Sequence, residues 1–147
     1  KAYHNEVWSG SYSAWSQVHP PLGDRPVTQY NPAYMLDYQR FMSDSTIDYV
    51  NFQQRLLREY FPQTPITTNT WFCDHMPDFY KLFDKLDFCS YDNYPATVLP
   101  EEGYYSHAFH LDFIRGVKQK NFWIMEQLSG TPGCWMPMAP TVKPGMI

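Results

Sequence analysis

The sequence has few basic residues and few cysteines, and neither kind is clustered. Its 147 residues include 11 Lys and Arg against 15 Asp and Glu, a formal net charge of −4. A nucleic-acid surface needs clustered positive charge, so we expect no nucleic-acid partner. The cysteines, Cys73, Cys89 and Cys134, are odd in number and widely spaced, with no CxxC pair. This usage is typical of a reducing compartment and predicts a cytoplasmic protein.

Long apolar runs and phosphate-binding loops are also missing. No run approaches the roughly 18 apolar residues that span a bilayer, so we expect no membrane partner. The N-terminus has no signal-peptide pattern, and neither GxGxxG nor GxxxxGK[ST] occurs. His107 and His110 lie three apart on a predicted helix, but no third metal ligand accompanies them. We therefore expect no cofactor and no metal site.

Aromatic residues are abundant. The chain has 12 Tyr, 10 Phe and 5 Trp, together 18% of its residues. Core packing accounts for many of them, but four tryptophans lie in or beside loop-like sequence: Trp8, Trp15, Trp71 and Trp135. Exposed flat rings suit the apolar face of a ligand such as a sugar.

Hydrophobic periodicity predicts helices that alternate with short strands. Residues 1–30 show no sustained period and are predicted to form a loop. Asn31 as N-cap and Pro32 at the first helical position then open an amphipathic helix. Its apolar face is predicted to be core: Tyr34, Tyr38, Phe41, Tyr49, Phe52, Leu56 and Tyr60. The predicted helices are 33–60, 77–86 and 104–119, and the predicted strands are 66–69, 88–91 and 122–126. The second helix is predicted to bury Phe79, Leu82, Phe83 and Leu86, and the third to bury Phe109, Phe113, Ile114 and Val117.

This alternation predicts an α/β fold with parallel strands and helical crossovers. Three strands cannot close an eight-stranded barrel, and an open doubly wound sheet has the same alternation, although the glycine-rich loop usual there is missing. The chain has no initiator Met and ends at Ile147 without the features of a natural terminus. We expect residues 1–147 to be part of one catalytic domain, truncated at both ends.

Each predicted strand ends in polar or aromatic residues: Asn69, then Asp92 to Tyr94, then Glu126. In a parallel barrel these ends form the active face, and carboxylates, amides and rings suit a sugar. Retaining glycosidases use two carboxyl groups about 5–5.5 Å apart. Glu126 is the one convincing member of such a pair. Asp92 is either a second carboxylate or part of a turn that orders the strand end.

Six motifs, in order along nearly the whole chain, resemble the β-galactosidases of glycoside hydrolase family 42. Trp8-Ser9 with Tyr12, Trp15, Gln17 and Val18 resembles "FWS…YTDWSQI", Asn31 to Phe41 resembles "NPALxLDFxRF", and Pro65 to Asn69 resembles "PVTTN". Asp87 to Pro95 resembles "DFVSWDNYP", His110 to Gly116 resembles "HDLxRG", and Phe122 to Gln127 resembles "FWLMEQ".

The resemblance implies a partial (β/α)8 TIM barrel that holds about the fifth to seventh strands with their helices. It implies that Glu126 is the nucleophile, that Tyr94 lies near it, and that Trp8 and Trp135 line the sugar site. Because Asn69 and Tyr94 are expected at the same edge, the predicted substrate-binding residues are Trp8, Asn69, Tyr94 and Trp135. The acid/base implied by the family is a Glu in an Asn-Glu pair that precedes residue 1. Asn5-Glu6 does not match it, because the pair aligns with the loop after the relevant strand.

Two alternatives remain open at this stage. One is another retaining glycosidase on a related barrel, with a different sugar. The other is a non-catalytic carbohydrate-binding domain, usually a β-sandwich, against which the long helix 33–60 argues. For the parent protein we expect a homo-oligomer.

Overall fold

The computed structural model describes residues 2–21, 30–72, 76–94 and 100–127. Helix α1 and a short 3₁₀ turn are followed by one long helix and by helices that alternate with strands. In chain order these are α1 (Ala2–Val7), the 3₁₀ turn (Trp15–Gln17), α2 (Pro32–Tyr60), α3 (Phe79–Asp84), β1 (Ser90–Asn93), α4 (Pro100–Lys118) and β2 (Trp123–Gln127).

Helix α2 begins where the sequence predicts. The Asn31 side chain accepts hydrogen bonds from the backbone N–H groups of Ala33 and Tyr34, at 2.9 and 3.2 Å. Pro32 fits the first helical position because its missing N–H has no helical acceptor there. The Asn31 amide also donates to the Val7 carbonyl at 3.2 Å, which ties α2 to the end of α1.

The core lies between helices α3 and α4 and strand β1. The predicted stripe of α3 is buried: Phe79, Leu82, Phe83 and Leu86 are all at most 4% exposed. Phe83 and Ile114 of α4 belong to the same core cluster, and both are fully buried. The Lys118 ammonium donates to the Phe83 carbonyl at 2.5 Å and so covers the C-terminal end of α3. Cys89 packs in the same core, where burial raises the pKa of its thiol to about 11.

Strands β1 and β2 pair in parallel, which confirms the predicted direction. Ser90 pairs with Trp123, and after an irregularity between Tyr91 and Asp92 the register continues with Asp92 opposite Glu126. All four residues of β1 are buried, whereas β2 is exposed from Trp123 to Glu126.

The strand predicted over 66–69 is not formed. Segment 65–70 does run beside β1 in the same direction, with backbone bonds from Asp87 to Ile66 and from Asp92 to Thr70. Between them, hydroxyl groups replace the backbone donors of a regular parallel ladder. The Thr67 hydroxyl donates to the Phe88 carbonyl at 2.7 Å, the Ser90 hydroxyl to Thr68 at 2.6 Å and the Thr70 hydroxyl to Ser90 at 2.8 Å.

Several predicted boundaries are also wrong. Residues 1–30 are not one loop, since α1 and the 3₁₀ turn lie within them. The helix predicted over 77–86 is shorter, because Asp78 caps it through bonds from the Tyr80 and Lys81 N–H groups. The helix predicted over 104–119 begins earlier, at Pro100, and β1 and β2 are shifted toward higher numbers relative to 88–91 and 122–126.

The predicted buried face of α2 is largely exposed. Phe41, Tyr49 and Tyr60 are 63%, 62% and 75% exposed, whereas the buried residues of this helix are Ile47 and Asn51. Phe109 of α4 is likewise exposed rather than core. Periodicity identifies an apolar face, but whether another element covers that face depends on contacts distant in sequence.

The described residues form four α-helices, a 3₁₀ turn and a two-stranded sheet, which does not match the β-sandwich of the carbohydrate-binding alternative. None of the helices in these ranges is long and apolar enough to cross a membrane.

Candidate active site at the strand ends

The C-terminal ends of β1 and β2, with the end of segment 65–70, bring together a group that we call the strand-end cluster: Asn69, Asp92, Asn93, Tyr94, Glu126 and Gln127. Asp92 pairs with Glu126 and Asn93 with Gln127. Successive side chains of a strand point to opposite faces, so the two carboxyl residues share one face and the two amides share the other. The Asn93 amide donates to Gln127 Oε1 at 2.9 Å.

Glu126 is held by a tyrosine from the neighbouring strand end. The Tyr94 hydroxyl donates a hydrogen bond to Glu126 Oε2. Tyr94 is half-buried and Glu126 is exposed, so the carboxylate is both oriented and open to a ligand. Hydrogen bonds to an ionised group are among the stronger ones in proteins, and this one holds Glu126 in a defined position.

Asp92 is a buried carboxyl group beside Glu126. It is 4% exposed, and its Oδ2 accepts a hydrogen bond from the Asn69 amide at 2.6 Å. Its Oδ1 has no hydrogen-bond partner within the described part of the chain. Burial raises the pKa of Asp92, the negative charge of Glu126 adds to this rise, and the bond from Asn69 opposes it.

Helix α4 packs against β1 next to the strand-end cluster, through His110. The His110 ring stacks on Phe72 with ring centroids 4.0 Å apart, and its Nδ1 lies 3.1 Å from the Tyr91 hydroxyl. Burial lowers the pKa of both His107 and His110, and a bond to the Tyr94 backbone partly offsets this for His107. Both rings act as packing groups here, and the residues described include no group of three or more His, Cys, Asp or Glu placed to hold a metal.

Trp8 belongs to a second group, between the N-terminal segment and α2, that we call the N-terminal cluster: Trp8, Trp15, Tyr34 and Asp37. Its indole N–H donates to Asp37 Oδ2 at 2.9 Å, and its ring meets the Tyr34 ring edge-on with centroids 5.1 Å apart. A largely apolar cavity of about 500 Å³ adjoins it, lined among others by Trp15 and Tyr38. Trp8 therefore has a fixed ring beside an open cavity.

Among the described residues, the structure brings three of the predicted site residues together and places a fourth in a different cluster. Asn69, Tyr94 and Glu126 lie in the strand-end cluster, and Trp8 lies in the N-terminal cluster. Trp135 lies outside the described residues.

The sequence left Asp92 open as either a second carboxylate or part of a turn that orders the strand end. The structure places it inside β1. Its position opposite Glu126 depends on the strand register, which joins segments distant in sequence and is not encoded in either segment alone.

Asn5 of the Asn5-Glu6 pair has a local role instead. Its amide donates to the Tyr12 carbonyl and its Oδ1 accepts from the Tyr12 N–H, both at 2.9 Å.

Residues 1–147 match the family model of the β-galactosidases of glycoside hydrolase family 42 over their whole length. The chain belongs to this family. The resemblance carried by the six motifs is thereby confirmed.

The relatives are β-galactosidases. The chain is 61% identical over 149 residues to β-galactosidase BgaA of Clostridium cellulovorans, covering 100% of this chain and 22% of that protein. It is 34% identical over 163 residues to a β-galactosidase of Thermus thermophilus, covering 100% of this chain and 24% of that protein. The chain therefore spans less than a quarter of the length of these curated relatives.

Solved structures agree with this placement. The β-galactosidase of the haloarchaeon Halorubrum lacusprofundi matches with a TM-score of 0.80 at 27% identity, covering 99% of this chain and 23% of that one. The β-galactosidase of Bacillus circulans sp. alkalophilus matches with a TM-score of 0.78 at 28% identity, covering 99% and 22%. The fold is that of a segment of these TIM-barrel glycosidases.

Proposed function

We propose that residues 1–147 are part of the catalytic barrel domain of a retaining β-galactosidase, with Glu126 as nucleophile. In this proposal segment 65–70, β1 and β2 correspond to the fifth, sixth and seventh barrel strands. The observation that carries the proposal is the bond from Tyr94 to Glu126 across two parallel strand ends. Catalytic residues of such barrels come from the ends of several strands.

The reaction would proceed in two displacements. The Glu126 carboxylate attacks the anomeric carbon of a terminal β-D-galactosyl residue, and the bond from that carbon to the leaving oxygen breaks as an acid protonates the oxygen. Water then attacks the anomeric carbon of the covalent intermediate while the acid/base residue removes a proton from the water. The bond to Glu126 breaks, and the anomeric carbon regains its original configuration. The acid/base residue would come from a part of the longer protein that precedes residue 1.

The remaining site residues would bind the sugar. Asn69 is exposed next to the carboxyl pair and can exchange hydrogen bonds with hydroxyl groups. The Trp8 ring, fixed by Asp37, would form an apolar wall of the sugar site once the rest of the barrel is present. Trp135 has the same role in the proposal, on the strength of the family resemblance alone. The proposed substrate is a galactoside. We further propose that the longer parent protein is cytoplasmic and forms a homo-oligomer.

The test is the hydrolysis of nitrophenyl β-galactoside by the full-length protein carrying Glu126→Gln. The substitution keeps the shape and removes the charge that attacks the sugar, so we expect at least about a thousand-fold loss of kcat with an unchanged thermal unfolding curve. Glu6→Gln is the matched control, because Glu6 is an exposed carboxylate on α1. It should retain full activity.

Substantial turnover by the Glu126→Gln protein would overturn the assignment of the nucleophile. Loss of activity in Glu6→Gln would instead place the chemistry at the Asn5-Glu6 pair. A panel of other nitrophenyl glycosides on the unmodified protein tests the sugar, and a clear preference for a different glycoside would overturn the galactosidase proposal.

A further inference from the structure

The hydrogen bond between Asn69 and Asp92 is not needed to hold the backbone in place. Segment 65–70 is already attached to residues 87–92, which lead into and include most of β1, by two backbone bonds and three hydroxyl-to-carbonyl bonds. Asp92 is almost fully buried, while Asn69 is exposed. The bond therefore joins a fixed buried group to a side chain at the surface of the cluster.

This bond sets the orientation of the Asn69 amide. The two ends of an amide group have nearly the same shape, but one donates and the other accepts hydrogen bonds. Asp92 Oδ2 accepts the bond from Asn69 Nδ2 at 2.6 Å, and it can accept whether or not the other carboxyl oxygen carries a proton. The Asn69 carbonyl oxygen, Oδ1, is therefore kept at the end of the amide directed away from Asp92.

The register places Asp92, which holds this amide, opposite the proposed nucleophile. Asp92 lies opposite Glu126 on the paired strands, and the Glu126 charge acts on the Asp92 carboxyl. A sugar that reacts with Glu126 would thus present its hydroxyl groups close to Asn69. Hydroxyl groups donate, and Asn69 Oδ1 accepts.

We propose that Asp92 is a positioning residue for sugar recognition: it holds the Asn69 amide so that Asn69 Oδ1 accepts a hydrogen bond from one hydroxyl of the galactoside bound at Glu126. The inference rests on the proposed function and adds to it the residue that orients the polar contact. Asp92 itself contacts Asn69, and its effect on the substrate passes through that amide.

The experiment compares hydrolysis of nitrophenyl galactoside with a set of its monodeoxy analogues by the full-length protein. Removal of the hydroxyl that Asn69 binds should lower kcat/KM by about 10-fold, the effect of one net hydrogen bond. In Asn69→Ala and in Asp92→Ala this penalty should disappear for that one analogue and remain for the others. The double variant should behave like either single variant, because both act on the same contact.

Two further variants keep the test decisive if Asp92→Ala does not fold. Asp92→Asn can either accept from Asn69 Nδ2 or donate to Asn69 Oδ1, so it no longer fixes the Asn69 amide and should weaken the penalty. Asp92→Ser is too short to reach Asn69 and should lose the penalty. Asn51→Ala removes a buried polar side chain on α2 and controls for a general loss of stability. It should leave every hydroxyl penalty unchanged.

An Asp92→Ser protein that keeps all the penalties while Asn69→Ala loses one would overturn the inference. The inference would also be overturned if the losses of kcat/KM caused by Asn69→Ala and Asp92→Ala added up in the double variant. Neither result bears on the nucleophile, which is judged separately by the activity of Glu126→Gln.

Discussion

Tyr94 and Glu126 meet only because β1 and β2 are parallel and in a particular register. The residues are 32 positions apart in sequence: Tyr94 directly follows β1, and Glu126 is the last residue but one of β2. A phenol can donate one hydrogen bond here without adding charge, so it orients the carboxylate and leaves it free to attack. At the scale of single residues, this pair carries the proposed chemistry.

Replacing Tyr94 with Phe should lower kcat/KM for a galactoside by about 10-fold to 150-fold. The change removes one hydroxyl, and a hydrogen bond to a charged group contributes about 1.5–3 kcal/mol, with each 1.36 kcal/mol equal to tenfold in rate. The thermal unfolding midpoint should hardly move. Tyr105→Phe, at a tyrosine of α4 that is 82% exposed, is the control and should be silent. A fully active Tyr94→Phe protein would show that the bond has no catalytic role.

At the scale of elements, Asp87, which lies shortly before β1, ties the end of α2 to segment 65–70. One carboxylate oxygen, Oδ2, accepts from Arg58 and from the Ile66 N–H, both at 2.6 Å. Arg58 also donates to the Pro62 and Thr64 carbonyls, at 3.3 and 3.0 Å. The Ile66 N–H first, and then Arg58, lower the pKa of Asp87 below its ordinary value of 3.8.

Asp87→Asn should therefore reduce the stability of the full-length protein above that pH. Because the folded-state pKa is lowered, the stabilisation is present above about 3.8 and is lost as the pH falls through the folded-state pKa. Both side chains are partly exposed, at 32% for Arg58 and 41% for Asp87, so we expect at most about 1 kcal/mol. Thermal unfolding followed over roughly pH 3–7 measures it, and the Asn variant should show a weaker acid dependence.

Asp44→Asn provides the comparison for this prediction. Asp44 pairs with Lys81 at 3.2 Å, but both side chains are about 60% exposed, and within the described residues the carboxylate accepts no hydrogen bond from a backbone N–H group. It should change stability little at any pH. Equal losses in the two variants would mean that Asp87 acts only as a surface charge.

Local sequence predicted the elements whose ends are decided locally. Asn31-Pro32 specifies the start of α2 through side-chain and backbone geometry within one turn, and the apolar stripe of α3 was placed correctly. The strand predicted over 66–69 is not formed, because threonine and serine hydroxyls replace the backbone donors of a regular parallel ladder. The position of Asp92 opposite Glu126 also depends on a pairing between distant segments, which no local pattern encodes.

At the scale of the whole molecule, the described part leaves large apolar groups open to solvent. On β2, Trp123 and Met125 are 61% and 49% exposed, and on α2, Phe52 and Leu56 are 50% and 43% exposed. The chain spans 22% of the Clostridium cellulovorans relative, so the missing barrel strands and helices are the proposed cover for these faces.

The 147-residue chain alone should therefore be inactive and should self-associate. Each exposed apolar face costs roughly 25 cal/mol per Å² relative to burial, and a few such side chains approach the whole stability of a typical domain. Sedimentation of the isolated chain should show oligomers, and a dye that binds apolar surfaces should fluoresce with it, in contrast to the full-length protein. A monomeric chain that hydrolyses galactosides unaided would contradict both expectations.

Covalent trapping tests the central assignment most directly. In a 2-deoxy-2-fluoro-galactoside the fluorine slows both displacements, and a good leaving group speeds the first one. The sugar should therefore accumulate on the nucleophile of the full-length protein. Mass spectrometry should then find one fluorogalactosyl group per protein, on the peptide that contains Glu126, and none in Glu126→Gln. A stable adduct on any other carboxylate, including Asp92 or Glu6, would contradict the account.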